Sequence, residues 1–341
     1  MMSRVVLEPE EIHQIQGLLS ELAGTYGRAE AAEFNASAGV YAHELPRRVR
    51  REIYEFKLNE PDSGHLIISG MPIDEERLGP TPNHWKHDHR TAGETEEEML
   101  LVLMGSLLGE CIGWSTQQDG RVVHDILPIQ GKEHEQLGSG SEELLWWHVE
   151  DAFHPYRGDY LGMHCLRNPD RVPTTFLSIG ELGLDFTEMP VLFEEHFTIR
   201  PDESHLVKNK GQDRVVEGDL AHSYGQIDQM NTKPQKIAVL FGDPRAPYVR
   251  IDPYFMDPVA DHPEAQAALE QLIAAIDARI KDMPLNPGEV CFIDNFRGVH
   301  GRKPFKARYD GNDRWIKRVN IVRDLRKSRG VRESAASRII K

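Results

Sequence analysis

Apolar residues recur at helical spacing near the start of the chain. Ile12, Ile15, Leu18, Leu19 and Leu22 fall on one face of a helix expected over 7–26, and a second amphipathic helix is expected over 46–56. A strand follows at Gly64-His65-Leu66-Ile67-Ile68-Ser69-Gly70, bounded by glycines. Met99, Leu100, Leu103 and Leu107 then predict a long helix over 95–112, with Thr95 and Glu98 spaced as a capping box. Beyond it the pattern turns to short β-rich runs at 122–126, 160–166, 174–179, 237–241, 248–251, 289–293 and 315–322, separated by turn residues. Many short strands point to a sandwich or barrel, braced by helices expected in part of 179–196 and over 263–282.

Two segments lack this periodicity. The polar stretch from Arg200 to Gln235 is long for a connection in a compact domain, and either a lid or a plain surface excursion is expected there. The tail after Asp324, rich in Lys, Arg and Ser, reads as a frayed helix without chemistry.

Composition narrows the function. The chain has 341 residues and 39% hydrophobic content, enough for one elaborated domain. Its 40 basic against 55 acidic residues give a net charge of −15, which removes the electrostatic attraction a nucleic-acid partner normally relies on. No run approaches the ~20 apolar residues of a membrane span and no apolar leader is evident, so a cytoplasmic protein acting on small molecules is expected. Cys111, Cys165 and Cys291 lie far apart in apolar segments and read as buried thiols.

The chemistry lies in a few polar residues set among apolar ones. In Trp146-Trp147-His148-Val149-Glu150-Asp151, His148 and Glu150 are two apart, so on extended backbone both project from one face. An apolar strand from Val290 runs into a polar loop holding His300, followed by Gly301 and Arg302. Two imidazoles and a carboxylate on a β scaffold match the facial triad of non-haem iron(II), which leaves positions free for an oxoacid and dioxygen. Zinc accepts the same ligands, although hydrolytic zinc sites commonly use H-E-x-x-H on a helix, absent here. Arg314 favours the oxygenase reading, since its planar fork can receive the far carboxylate of an oxoacid. Arg314 and Arg318 are four apart, so a strand would point both the same way.

The chain resembles the clavaminate synthase-like oxygenases, in particular the branch that hydroxylates free amino acids such as arginine, lysine and asparagine. The resemblance rests on residues 113–121 (GWSTQQDGR), 147–157 (WHVEDAFHPYR), 166–170 (LRNPD), 292–295 (FIDN), 300–302 (HGR) and 308–311 (RYDG), with 42–48 (AHELPRR) near the start. It implies a mainly β fold with flanking helices, a double-stranded β-helix or jelly roll. Within one oxygenase domain, residues 1–112 would form a helical elaboration with an edge strand, 113–325 the jelly-roll core with a lid-like insertion at 201–235, and 326–341 a tail. It implies that His148, Glu150 and His300 bind Fe(II), and that Arg314, helped by Thr175, holds 2-oxoglutarate. Arg318 would meet the α-carboxylate of the substrate, while Gln117 and Glu150 hold its α-amino group. Asp151, Asp294 and Asn295 are expected to orient neighbouring groups rather than touch substrate.

For the distal end of the substrate the resemblance points to Asp252 and Tyr254. Arginine-hydroxylating relatives carry two aspartates there, and here Tyr254 stands in the second place. One carboxylate suits a compact ammonium better than a five-donor guanidinium, so L-lysine is expected first, with L-arginine next and ornithine or citrulline open. Hydroxylation is expected at C3, then C4. Desaturation on the same ligands and a non-catalytic amino-acid-binding jelly roll are the alternatives; halogenation is disfavoured because Glu150 fills the position a halide needs.

Overall fold

The computed structural model describes residues 4–87, 90–210 and 215–341. The N-terminal third holds β1 (Arg4–Val6), α1 (Pro9–Tyr26), α2 (Ala32–Tyr41), α3 (Arg47–Asn59), β2 (His65–Ser69), α4 (Glu75–Leu78) and α5 (Ala92–Ser106). Next come β3 (Glu110–Trp114), β4 (His124–Ile126), β5 (Leu145–His148), β6 (Tyr160–Arg167) and β7 (Thr174–Ser178). After α6 (Gly218–Thr232) follow β8 (Leu240–Asp243), β9 (Ala246–Val249) and α7 (Pro263–Asp277). The chain ends with β10 (Lys281–Met283), β11 (Val290–Asp294), β12 (Gly298–Arg302), β13 (Trp315–Val322) and β14 (Ile339–Ile340).

The strands other than β8 and β9 form the two sheets of a jelly roll, and β8 and β9 pair apart as a two-stranded sheet. The major sheet runs β1-β2-β11-β6-β13-β3-β14, with β4 added against β13, and the minor sheet runs β10-β7-β12-β5. Met163, Cys165, Ile293 and Ile316 of the major sheet pack against Phe176 and Met283 of the minor one, closing one end of the space between them. The other face of the major sheet is covered by α1, α2, α3 and α5, whose Leu19, Phe34, Ile53 and Leu103 are buried with Phe292 and Val319. α7 packs on the outside of the minor sheet through Leu269, Leu272 and Ile276. All three cysteines are buried free thiols. Among the described residues no helix is long and apolar enough to cross a membrane.

Several elements differ from the sequence expectation. The expected 95–112 helix starts earlier, because Thr91 Oγ1 accepts from the Glu94 amide and supplies the cap. It also stops at Ser106, so Cys111 and Ile112 lie in a strand. Thr95 and Glu98 are instead buried inside α5. The stretch 179–196 holds three short 3-10 turns rather than a helix. Within 201–235 the described part is not structureless: two 3-10 turns and α6 occupy it, while 211–214 lie outside the described residues. The tail is not frayed, for β14 pairs parallel with β3 and Arg332 is buried. Since β1, β2 and β14 all join the major sheet, boundaries at 112/113 and 325/326 cut through one sheet.

One buried ionic cluster fixes β13. Lys317 is fully buried on its outer face, and its Nζ meets Glu94 at 2.6 Å, Glu98 at 2.8 Å and Asp125. Arg90 and Arg121 complete the charge balance. Lys317→Met should lower the unfolding free energy by about 3–5 kcal/mol, because it leaves buried carboxylates short of their shared cation. Urea unfolding of wild type and variant measures this, and an unchanged midpoint would deny the cluster a stabilising role.

Candidate metal and substrate site

Register brings the expected ligands together. His300 of β12 sits directly opposite His148 of β5, and the two rings lie 4.6 Å apart. Glu150 follows β5 on the same face, and its Oε2 is 3.5 Å from His148 Nε2 and 3.3 Å from His300 Nε2. Ligand atoms of the three residues lie within 4.8 Å of one another. The Trp146 carbonyl accepts from His148 Nδ1 at 2.8 Å, which leaves Nε2 as the free nitrogen facing inward.

The backbone around Glu150 is clamped. Its N–H donates to Asn295 Oδ1 at 2.9 Å, and Asn295 Nδ2 donates back to the Glu150 carbonyl at 3.0 Å. Asp151 then turns the chain with φ of 50°, held by Trp114 Nε1 at 2.7 Å and Asn320 Nδ2 at 3.0 Å. Asn295 and Asp151 thus fix the backbone that carries Glu150. Gly301 is required by crowding: a Cβ there would lie 2.5 Å from the Leu145 carbonyl across the strand pair.

A cavity opens from this triad, lined by Thr174, Asp202, Asp252, Tyr254, Arg314 and Arg318 among others. Arg314 and Arg318 enter it together from β13, as their spacing implied. Burial lowers Arg314 to about 10, and its Nε has no hydrogen-bond partner. Among the described residues it pairs with no carboxylate, and its Nη2 donates to Thr174 Oγ1 at 3.3 Å. Burial opposes the charge on Glu150, yet Arg318, His148 and His300 together hold its carboxyl well below the usual range. Burial pushes Asp252 up to about 7, with His148 opposing and the charge of Asp202 adding to the rise. Gln117 is displaced from the main cavity. It lines an adjoining one behind Arg318, where its Oε1 is 3.5 Å from Arg318 Nη2 and its amide donates to Ser204.

Thr175 corrects the sequence expectation. It pairs with Gly301, while Thr174 pairs with Arg302 and Phe176 with His300. Paired residues share a face, so Thr174 is on the His300 side and Thr175 on the other. Thr174→Val should raise the half-saturating concentration of an acidic cosubstrate about tenfold, the worth of one hydrogen bond to a charged group, whereas Thr175→Val should change it little. Steady-state titration of both variants decides between them. Sequence reading also missed Asp202 and His124; no local motif marks either.

The donor set fits a divalent metal: two imidazoles and a carboxylate converge from one side and leave the cavity side open. The unpaired, buried Arg314 fits the carboxylate of an anionic cosubstrate beside it.

Comparison with known proteins agrees with this geometry. Residues 196–320 match the model of the family described as taurine catabolism dioxygenase TauD, TfdA family. The chain is 46% identical to the enduracididine beta-hydroxylase of Streptomyces hygroscopicus, over 98% of each chain. It is 42% identical to the L-ornithine/L-arginine 3-hydroxylase of Catenulispora acidiphila, over 99% of this chain and 100% of that protein. The L-lysine 3-hydroxylase of the same organism is more distant, at 31% over 93% of this chain and 83% of that protein. The non-heme iron oxygenase OrfP, solved with Fe, succinate and (3S)-hydroxy-L-Arg, superposes with a TM-score of 0.94 at 43% identity over all of both chains. Its complex with Fe and alpha-ketoglutaric acid gives 0.88 at 41% identity, again over all of both chains.

Proposed function

The chain belongs to the clavaminate synthase-like branch of the TauD/TfdA family, the iron- and 2-oxoglutarate-dependent oxygenases that hydroxylate free amino acids, and from that premise we propose that it hydroxylates L-arginine at C3. The enduracididine named for one relative is the second choice of substrate. The observation that carries the reading is that two carboxylates, Asp252 and Asp202, line the cavity.

This replaces the expectation of L-lysine. That expectation counted one charge at the distal end because Tyr254 stands in the second aspartate position. The count missed Asp202, fifty residues away in sequence and brought to the same cavity by the fold. A guanidinium has five donors to satisfy, and two carboxylates with the phenol of Tyr254 supply acceptors for them. The relatives named for arginine and enduracididine are also nearer in sequence than the one named for lysine.

Iron(II), with 2-oxoglutarate and dioxygen, supplies the oxidising power and yields succinate and carbon dioxide. The role of the chain is to bind and orient. His148, Glu150 and His300 hold the metal; Arg314 and Thr174 receive the far carboxylate of 2-oxoglutarate. Arg318 takes the substrate α-carboxylate and Glu150 its α-amino group, while Gln117 supports Arg318 from the adjoining cavity. With the α-carbon end anchored beside Glu150 and the guanidinium drawn toward Asp252, the middle of the chain is presented to the metal, C3 first. The 201–235 insertion contributes Asp202 and Ser204 to the cavity wall and acts as its lid.

The test is succinate release by the iron-loaded enzyme with 2-oxoglutarate, oxygen and each free amino acid in turn, with mass detection of one added oxygen. Arginine-dependent succinate and a C3 alcohol are expected. A preference for lysine would sink the two-carboxylate argument.

A further inference from the structure

The inner face of the β4/β13 pair carries an imidazole that belongs to no metal set. His124 stands directly opposite Arg318 in the strand register, so both side chains share that face. His124 is 2% exposed. Its Nε2 lies 3.0 Å from the Arg121 carbonyl, a group that only accepts, so Nε2 carries the ring proton. Nδ1 of the neutral ring is then a bare acceptor, and Arg318 Nη2 donates to it at 3.0 Å. Burial, reinforced by the Arg318 charge, lowers His124 to about 3, so the ring stays neutral at any working pH.

Arg318 also has a stronger attraction. Its Nη1 pairs with Glu150, the carboxylate of the metal set. A guanidinium guided by charge alone would settle on that carboxylate, because a charged acceptor outbids a neutral one. Were Nη2 to follow Nη1 onto Glu150, the guanidinium would turn away from the incoming carboxylate; its hydrogen bond to His124 keeps Nη2 on the cavity wall. Arg318 Nε, buried without a partner, shows that the guanidinium keeps a donor unspent.

We propose that His124 is a positioning residue that holds Arg318 on the cavity wall so that its guanidinium is presented to the α-carboxylate of the amino acid. The inference rests on the assignment of Arg318 as carboxylate receptor. A neutral acceptor suits this task, since an anionic one would repel the ligand it prepares for. The strand respects that distinction. Asp125, the next residue, faces the opposite side of the sheet and pairs with Lys317 and Arg121, which keeps its charge off the site. Of the other charged and titratable groups, Glu150 pairs with Arg318, while His148, His300, Asp202, Asp252 and Arg314 line the same cavity.

The experiment is calorimetric titration of the anaerobic Fe(II)·2-oxoglutarate enzyme with L-arginine and with L-argininamide, which lacks the carboxylate charge. Wild type, H124L, H124N and R318M are compared. H124L should weaken L-arginine about tenfold, the worth of a hydrogen bond that orients a charged group, and leave L-argininamide within about twofold. H124N should restore most of the loss, because its Oδ1 takes the place of Nδ1. R318M tests the underlying assignment: if it weakens both ligands equally, Arg318 is not the receptor and that reading falls. If R318M is selective for L-arginine while H124L weakens both ligands alike, or neither, the positioning role alone is overturned.

Discussion

Glu150→Ala is expected to lower succinate production by more than about 10³-fold, with loss of stoichiometric iron after gel filtration. Glu150 is the one anionic member of the ligand set, and removing it leaves two imidazoles to hold a dication. The same carboxylate pairs with Arg318, and in the proposed function it also anchors the substrate α-amino group, so metal and substrate would both lose a partner. Metal analysis separates these effects: retained iron with lost arginine affinity would show that Glu150 serves the substrate and not the metal. His148→Ala should lose iron in the same way while leaving the Arg318 to Glu150 pair in place.

Asp252→Asn should cut kcat/KM for L-arginine by about 10²–10³-fold, because a buried cation would lose a charged partner, an effect on the order of 3–4 kcal/mol. The half-saturating concentration of 2-oxoglutarate should stay unchanged, since Arg314 lies at the entry to β13 and Asp252 on the separate segment after β9. The pH profile gives a second signature. Burial raises Asp252 to about 7 in the ligand-free protein, so its carboxyl is charged above that pH and protonated below it. kcat/KM for L-arginine should therefore fall as the pH drops through about 7, and the Asn variant should lose that inflection. Equal kcat/KM for Asp252→Asn and wild type would remove this residue from the substrate site and with it the case for a guanidino side chain.

Local patterning reached the parts of this protein that depend on neighbours in sequence. Period-two spacing put His148 with Glu150, and Arg314 near Arg318, on shared faces, and the structure keeps both pairs in one cavity. α1, α7, β6, β11 and β13 were legible because their apolar residues repeat at a regular interval. Elements without such a signal were not. β3 was absorbed into an apolar helix pattern, and β12 was hidden by glycines that read as a loop. The segment 179–196 has helical composition but breaks into turns, where tertiary contacts override propensity.

What only the tertiary structure decided is which of two adjacent or distant residues faces the site. Thr174 and Thr175 are chemically alike, and the choice between them follows from pairing Phe176 with His300 across two strands, a register that neither strand specifies alone. His124 owes its place to pairing opposite Arg318, and Asp202 reaches the cavity from an insertion without periodicity. The sequence by itself determined the reaction class and singled out the candidate metal ligands and the candidate cosubstrate arginine, because those residues lie in compact motifs. It could not determine the charge at the far end of the pocket, because that depends on long-range contacts that fix where an aperiodic segment returns to the core.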